Sequence, residues 1–257
     1  MQLTRFSSRP CPRHVIVTGA SDGIGLRLAN LYHASGAHVI ALGRRERREI
    51  RPKLAKEIRY LALNFTDEDM SELLADLVKS IGWCHLDLLV HCAGVGLAGP
   101  VEDHSALELE GLLQINCTAP LLITHCMAPM LEVSHGQVLF IGSTLYKAQN
   151  SNFSAYSASK AALHGAAKSL ALEWRNKIKV TIIHPGPTST ALHHKVGLDP
   201  GFCGTFFAKP ADMAREIAAA ATGKKTVITL GLPVLVKLWL FDPYRWFGFY
   251  KKGLRAL

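Results

Sequence analysis

Several short runs of residues in this chain are apolar almost without interruption, and that continuity restricts the fold more than any other feature. The cores VIVT, HVIAL, LDLLVH and KVTIIH lack the alternating polar positions of a strand with one wet face. Strands that read this way are covered on both faces, as in parallel sheets sandwiched by helices. The runs predict strands at about His14–Thr18, Ala37–Leu42, Ile58–Asn64, Leu86–His91, Gly136–Ser143, Ile178–His184 and Thr226–Leu230. Helical patterns fall between them, at about Gly23–Ser35, Asp67–Ile81, Ser105–Leu131, Ser154–Asn176 and Pro210–Thr222. Thr66 and the acids Asp67, Glu68 and Asp69 look like a helix cap, and Pro210 suits a first helical turn. Pro52 leaves only a short or broken helix between the second and third strands. Regular alternation of strand and helix makes this an α/β chain with a doubly wound parallel sheet of about seven strands. No internal repeat or low-complexity linker divides it, so residues 1–257 read as a single domain with its core in 12–231.

At 49% hydrophobic and 19% charged residues, the 257-residue chain can bury a large core and is not disordered. Its net charge of +9 raises nucleic-acid binding as a function. The basic residues, however, form no stripe with interleaved aromatics. They gather between Arg44 and Arg59 and in the C-terminal tail, where an anionic phosphate or a membrane surface explains them as well. No nucleic-acid partner is expected. The cysteines Cys11, Cys84, Cys92, Cys117, Cys126 and Cys203 form no C-x-x-C pair, and several lie in apolar runs. This fits free thiols in a reducing, cytoplasmic compartment, with neither a disulfide framework nor a metal site. The N-terminus shows no apolar stretch of the signal-peptide kind.

The first strand runs directly into TGASDGIG, Thr18 to Gly25, which opens a helix. Gly19, Gly23 and Gly25 allow a tight turn and a close approach of backbone to a pyrophosphate. The helix N-terminus supplies free N–H groups and the positive end of a dipole. Ser21 and Ile24 are the other contacts expected from this loop.

The pattern T-G-x-x-x-G-x-G resembles that of the short-chain dehydrogenase/reductase family, and the resemblance extends over about residues 12 to 231. It implies a Rossmann fold and a nicotinamide dinucleotide. At the end of the second strand an NAD enzyme usually places a carboxylate for the ribose 2′-hydroxyl. Here Leu42-Gly43-Arg44-Arg45 offers no acid, and a guanidinium can grip a 2′-phosphate instead. NADP(H) is therefore the expected cofactor, with Arg44 as the key contact by resemblance and Arg45 beside it. Asn64, at the third strand end, stands where the family often has an acid that binds the adenine amino group; its amide oxygen can still accept.

FIGST places Ser143 at the fifth strand end, and YSASK follows with Tyr156 and Lys160 one helical turn apart on the same face. Hydride transfer at a carbinol carbon must be matched by proton transfer at oxygen. A tyrosine hydroxyl can do this if a nearby ammonium and the nicotinamide charge lower its pKa. The resemblance assigns Tyr156 as general acid or base and Lys160 as its partner and the holder of the nicotinamide ribose. Ser143 would be a hydrogen-bond donor to the substrate oxygen. By the same resemblance Asn116, in QINCTAP, holds a helix kink and a water of the proton relay. Pro185, Gly186 and Thr190 match P-G-x-V-x-T, with Thr188 in place of valine. Thr188 stands where a backbone contact to the carboxamide is expected, although each threonine is equally well a loop hydroxyl. Ala93 and Gly94 keep the close approach after the fourth strand. There, however, His91 and Cys92 replace the family's paired asparagines, which weakens the expected hydrogen bonding to the sheet.

Residues 187–210 are long enough to form a lid, and Phe202, Phe206 and Phe207 are candidates for an apolar substrate pocket or for core packing. His193 and His194 read as solvated. The tail 232–257 interleaves aromatic residues with Lys237, Arg245, Lys251, Lys252 and Arg255. It suits packing beside the cleft or across a subunit interface, or peripheral contact with a membrane. The expected substrate is an apolar carbonyl or alcohol such as a steroid, a fatty acyl derivative or another lipid carbonyl. The expected assembly, by resemblance, is a homodimer or homotetramer. A catalytically silent NADP(H) sensor on the same fold is the alternative, and such a sensor should lack the tyrosine and lysine.

Overall fold

A computed structural model describes residues 13–50, 53–147, 152–190 and 207–231. The strands are β1 (His14–Thr18), β2 (His38–Gly43), β3 (Arg59–Ala62), β4 (Leu88–His91), β5 (Gln137–Ile141), β6 (Lys179–His184) and β7 (Val227–Thr229). They form one sheet in the order β3-β2-β1-β4-β5-β6-β7, and every pairing is parallel. The helices are α1 (Gly23–Ala34), α2 (Arg47–Ile50), α3 (Met70–Ser80), α4 (Ala106–Leu113), α5 (Ala119–Val133), α6 (Ser154–Glu173) and α7 (Pro210–Ala221).

The unbroken apolar runs serve two cores, one on each side of the sheet. Val15 and Val17 of β1 face Leu28 and Ala29 of α1 and Met213 and Ile217 of α7. Ile16, between them, faces the other way, toward a cluster holding Leu74 of α3, Ile123 of α5 and Leu163 of α6. Burial on both faces explains why the strand sequences do not alternate. Strand order reverses between β1 and β4, and the crevice at such a switch point is where doubly wound sheets bind ligands.

The expected strands agree with the observed ones to within a few residues at their ends. Two helical expectations need correction. The helix expected over Ser105–Leu131 is three pieces: α4, a π-helical turn at Gln114–Thr118, and α5. Pro120 has no N–H to give the carbonyl one turn earlier, and the ladder widens there. The third helix begins at Met70, not Asp67, and its cap Asp69 makes no side-chain cap bond. Asp67 instead accepts a hydrogen bond from Asn64 Nδ2 at 2.7 Å.

Helix α4 starts with a full capping box between Ser105 and Glu108. Gly111 within it has open space where a Cβ would stand. Gly111→Ala is expected to stabilise the protein by about 0.5–1 kcal/mol, read as a rise in denaturation midpoint at unchanged m-value.

Candidate active site at the carboxyl ends of the strands

The chain leaves β1 at Thr18 and turns at once. Gly19 has φ +69°, and a Cβ on it would lie 2.6 Å from the backbone N and Cα of Ala93. A Cβ on Gly25 would lie 2.4 Å from the Gly19 carbonyl oxygen. Only hydrogen fits at either place, which brings the loop down onto the β4 end. Asp22 caps α1, its Oδ1 accepting from the Gly23 amide at 2.8 Å. Thr18 Oγ1 accepts from the amides of both Cys92 and Ala93, at 3.1 and 3.0 Å, and latches the ends of β1 and β4 together. Sequence reasoning gave Thr18 no role, although it stands first in TGASDGIG.

A cleft of about 320 Å³ opens above these strand ends. It gathers every catalytic and cofactor-binding residue expected from the sequence except Asn116, which sits just behind its wall. At one end lie the glycine loop, Ser21, Ile24, Gly43, Arg44, Arg45 and Asn64. A Cβ on Gly43 would stand 2.8 Å from the Tyr60 hydroxyl and 3.0 Å from Ser21 Cβ, so a side chain there would have to push these aside. Arg45 is turned to Asp22, with Nη2 and Oδ2 at 3.6 Å. Arg44 is exposed and forms no ion pair among the described residues. The Asn64 amide nitrogen points at the Asp67 carboxylate, which can only accept, so the Asn64 oxygen is left for a donor.

At the other end stand Ser143, Tyr156, Lys160, Pro185, Gly186, Thr188 and Thr190. Ser143 Oγ accepts from the Leu145 amide at 3.2 Å, which leaves its own proton to donate. Tyr156 and Lys160 are buried on the cleft face of α6, with Lys160 Nζ 5.9 Å from the Tyr156 ring centre. Asn116 sits in the π turn and ties three elements. Its Nδ2 donates to the Val95 carbonyl and to Ser159 Oγ, its Oδ1 accepts from the Val95 amide, and Ser159 Oγ in turn donates to the Tyr156 carbonyl. Thr188 bridges to Ala208 through Pro187 and Ser189, so its own amide is not spent on that ladder, while its hydroxyl donates to the Gly186 carbonyl.

The sequence profile of the family described as short chain dehydrogenase matches residues 13–201. The chain belongs to the short chain dehydrogenase family. It is 31% identical over 191 residues to the uncharacterized oxidoreductase YciK of Escherichia coli K12, covering 70% of this chain and 75% of that one. A short chain dehydrogenase from Salmonella enterica serovar Typhi superposes with a TM-score of 0.76 at 28% identity, over 88% of this chain and 98% of its own. A short chain dehydrogenase from Shigella flexneri, solved in complex with NADP, does so with a TM-score of 0.75 at 28% identity, over 84% and 95%.

In this short chain dehydrogenase without its cofactor, burial raises the Tyr156 pKa, with a partial offset from the hydrogen bond that Ser143 donates; the expected lowering counted the nicotinamide charge as well as Lys160. Lys160 is not among the causes; its own pKa is pulled down to about 8 by burial. Because the folded state disfavours the charged lysine, it binds fewer protons than the unfolded chain between about pH 8 and the ordinary value of 10.5. Stability from this group therefore rises with pH across that window and is lowest below it. Lys160→Met is expected to stabilise the ligand-free protein at pH 7 by about 1–3 kcal/mol. The gain should shrink above pH 9, measured by denaturation at both pH values.

The family member's departures at the end of β4, His91 and Cys92, are packed residues. His91 Nε2 lies 2.7 Å from Thr124 Oγ1, and its ring stacks on Phe140 with centroids 5.0 Å apart. Burial holds the imidazole neutral, with a pKa near 3, and pushes the Cys92 thiol up to about 12. Cys84, Cys92, Cys117 and Cys126 are free. Among the described residues one group, His14, His85 and Asp87, has the composition of a metal site. It lies at the opposite end of β1 from the cleft, and Asp87 Oδ2 already accepts from the amides of Arg13 and His14. No helix among the described residues is long and apolar enough to cross a membrane. Most of the expected lid, with Phe202, Phe206, His193 and His194, and the whole tail 232–257 lie outside the described residues. Phe207 is described, and it is buried and lines the cleft.

Proposed function

We propose that this chain is an NADP(H)-dependent oxidoreductase that interconverts an apolar ketone or aldehyde and its alcohol. One observation carries the reading. A single cleft holds an anion cradle at one end, with Arg44 in no ion pair among the described residues, and the Ser143, Tyr156 and Lys160 side chains at the other.

The cleft fits a dinucleotide on steric and electrostatic grounds. Gly19 and Gly25 let the loop close onto the β4 end, so that a pyrophosphate could meet the free amides of the α1 N-terminus, and Arg44, with no ion pair among the described residues, could take a 2′-phosphate. Solved relatives in complex with NADP and with NADPH support this choice. Asn64 Oδ1 would accept from the adenine amino group, and Pro185, Gly186, Thr188 and Thr190 would border the nicotinamide. The bound cofactor supplies or takes up the hydride. Tyr156 holds the proton that reaches the substrate oxygen in reduction, and its raised pKa keeps it protonated until then. Ser143 donates a second hydrogen bond to that oxygen, where negative charge develops. Lys160 and Asn116 sit behind Tyr156 on the route by which the proton is replaced. Apolar side chains of Val95, Ile115, Leu145, Phe153 and Phe207 beside this group favour an apolar substrate.

Exposed Leu107, Leu113 and Leu122 on α4 and α5 and Leu172 on α6 favour assembly as a homodimer or homotetramer through these helices. The tail 232–257 remains assigned to subunit packing or to peripheral membrane contact.

The test is NADPH oxidation, followed by its absorbance, with a panel of steroid, fatty and aromatic ketones. Turnover of at least one is expected; tight NADPH binding with no turnover on any would shift the reading to a redox sensor. Arg44→Ala is expected to raise the NADPH dissociation constant by about 10- to 100-fold, the value of a charge-assisted phosphate contact. NADH binding should change by less than about twofold. Equal losses for both cofactors would place Arg44 away from the 2′-phosphate.

A further inference from the structure

His184, the last residue of β6, is buried and reaches across to the chain just after β5. Its Nδ1 lies 3.2 Å from the Ser143 amide nitrogen and 3.0 Å from the Ser143 carbonyl oxygen. Its Nε2 lies 3.0 Å from Nδ1 of His164 on α6. The Tyr146 ring stacks on both imidazoles, with centroids 3.9 Å from His184 and 4.3 Å from His164. Gly142 has no side chain where one would collide: a Cβ there would stand 2.4 Å from His184 Nδ1.

Nδ1 lies within reach of a donor, the Ser143 amide, and of an acceptor, the Ser143 carbonyl. The carbonyl already accepts from the Tyr146 amide at 3.2 Å, whereas the Ser143 amide has no other acceptor among the described residues, which favours Nδ1 as acceptor. With Nδ1 accepting, a neutral His184 carries its proton on Nε2 and gives it to His164 Nδ1.

We propose that His184 is a positioning residue for Ser143. Its Nδ1 grips the Ser143 amide, His164 holds it in the Nε2–H form, and the pair thereby fixes where the Ser143 hydroxyl stands in the cleft. Burial is the main influence that keeps both rings neutral; the groups facing them, Lys147 after β5 and Lys160 and Lys168 on α6, are cations and add to it, while the Ser143 carbonyl opposes it at His184. The inference rests on the reading of Ser143 as the donor to the substrate oxygen.

Two measurements test it. In protein labelled with ¹⁵N-histidine, the ring shifts of His184, identified by their loss in His184→Asn, are expected to report Nε2–H at pH 7. The Nδ1–H form, or an imidazolium, overturns the proposal whether or not a substrate is known. In the second, His164→Gln keeps an acceptor oxygen for Nε2–H, and His164→Leu removes it. With the ketone turned over fastest, kcat should fall about tenfold or more in the leucine variant, while KM and the NADPH dissociation constant stay within about twofold. The glutamine variant should keep most of kcat. Equal behaviour of the two variants overturns the proposal, because packing alone does not distinguish them. The loss from His164→Leu should also largely vanish in a Ser143→Ala background, and additive losses refute action through Ser143. If Ser143→Ala alone leaves kcat unchanged, the reading of Ser143 fails, and the tautomer measurement still decides the histidine arrangement.

Discussion

Tyr156→Phe will turn over its ketone about 10²- to 10⁴-fold more slowly than the parent protein, the range spanned by a positioned general acid. NADPH binding should stay within about threefold, because the change removes one oxygen and leaves the ring. That ring packs edge-on to Phe153, at 6.5 Å and 69°, in an apolar cluster with Leu112, Val95 and Leu145, so the fold tolerates phenylalanine. The loss should appear in kcat, since the proton is needed at the transition state and contributes little to ground-state binding. The pH dependence has a definite sign. Reduction needs the protonated hydroxyl, and burial raises its pKa, so the rate of reduction should hold through neutral pH and fall only on the alkaline side. Steady-state rates and a fluorescence titration of NADPH, taken on both proteins, decide the matter. Turnover that survives the substitution would remove Tyr156 from the chemistry.

Gly19→Ala is the second large effect. A side chain at φ +69° carries strain of about 1–2 kcal/mol by itself. The larger penalty is the contact, because the new methyl would enter the Ala93 backbone, which cannot rotate away as a side chain can. Either β4 shifts and breaks the Thr18 latch, or the loop lifts away from where the pyrophosphate is to lie. Dinucleotide affinity should fall by more than about tenfold, and thermal stability should drop as well. Gly36→Ala is the control: its φ is +93° with nothing within 4 Å, so it bears the strain without the collision. It should lower the melting temperature with no change in affinity. Equal affinity losses in the two variants would show that close approach is not what Gly19 provides.

Local patterns carried most of this fold into view. A parallel strand buried on both sides reads as an apolar run, and TGASDGIG sits where such a run meets a helix, so the sheet and the cradle were legible together. The helix break at Gln114–Thr118 was legible only as an inherited kink at Asn116. The carbonyl ladder that Pro120 interrupts, and the three-way tie of Asn116 to Val95 and Ser159, depend on segments far apart in sequence. The roles of Thr18 and His184 were hidden for the same reason: each acts on a backbone amide contributed by another strand end, and although Thr18 opens the glycine motif, its partners lie 74 and 75 residues away. For Tyr156, a spacing of one helical turn shows that a lysine is near. It does not show how deeply both groups are buried, and here burial dominates.

The position of β1 in the middle of the sheet has a consequence for how the chain is made. Once β1 to β3 have left the ribosome they can pair, but the other side of β1 waits for β4, with Val15 joined to Leu88. At bacterial and eukaryotic elongation rates, about 4–15 s pass between the synthesis of Val15 and that of Leu88. Meanwhile, an apolar strand presents an open edge of unpaired amides and carbonyls, the arrangement that recruits other strands most readily. The ligand cleft offers no protection in this interval, because its far wall at Pro185 to Thr190 is synthesised later still. Vectorial synthesis thus leaves an associating edge on the nascent chain, and crowding of translating ribosomes should lower its soluble yield before any property of the finished protein comes into play.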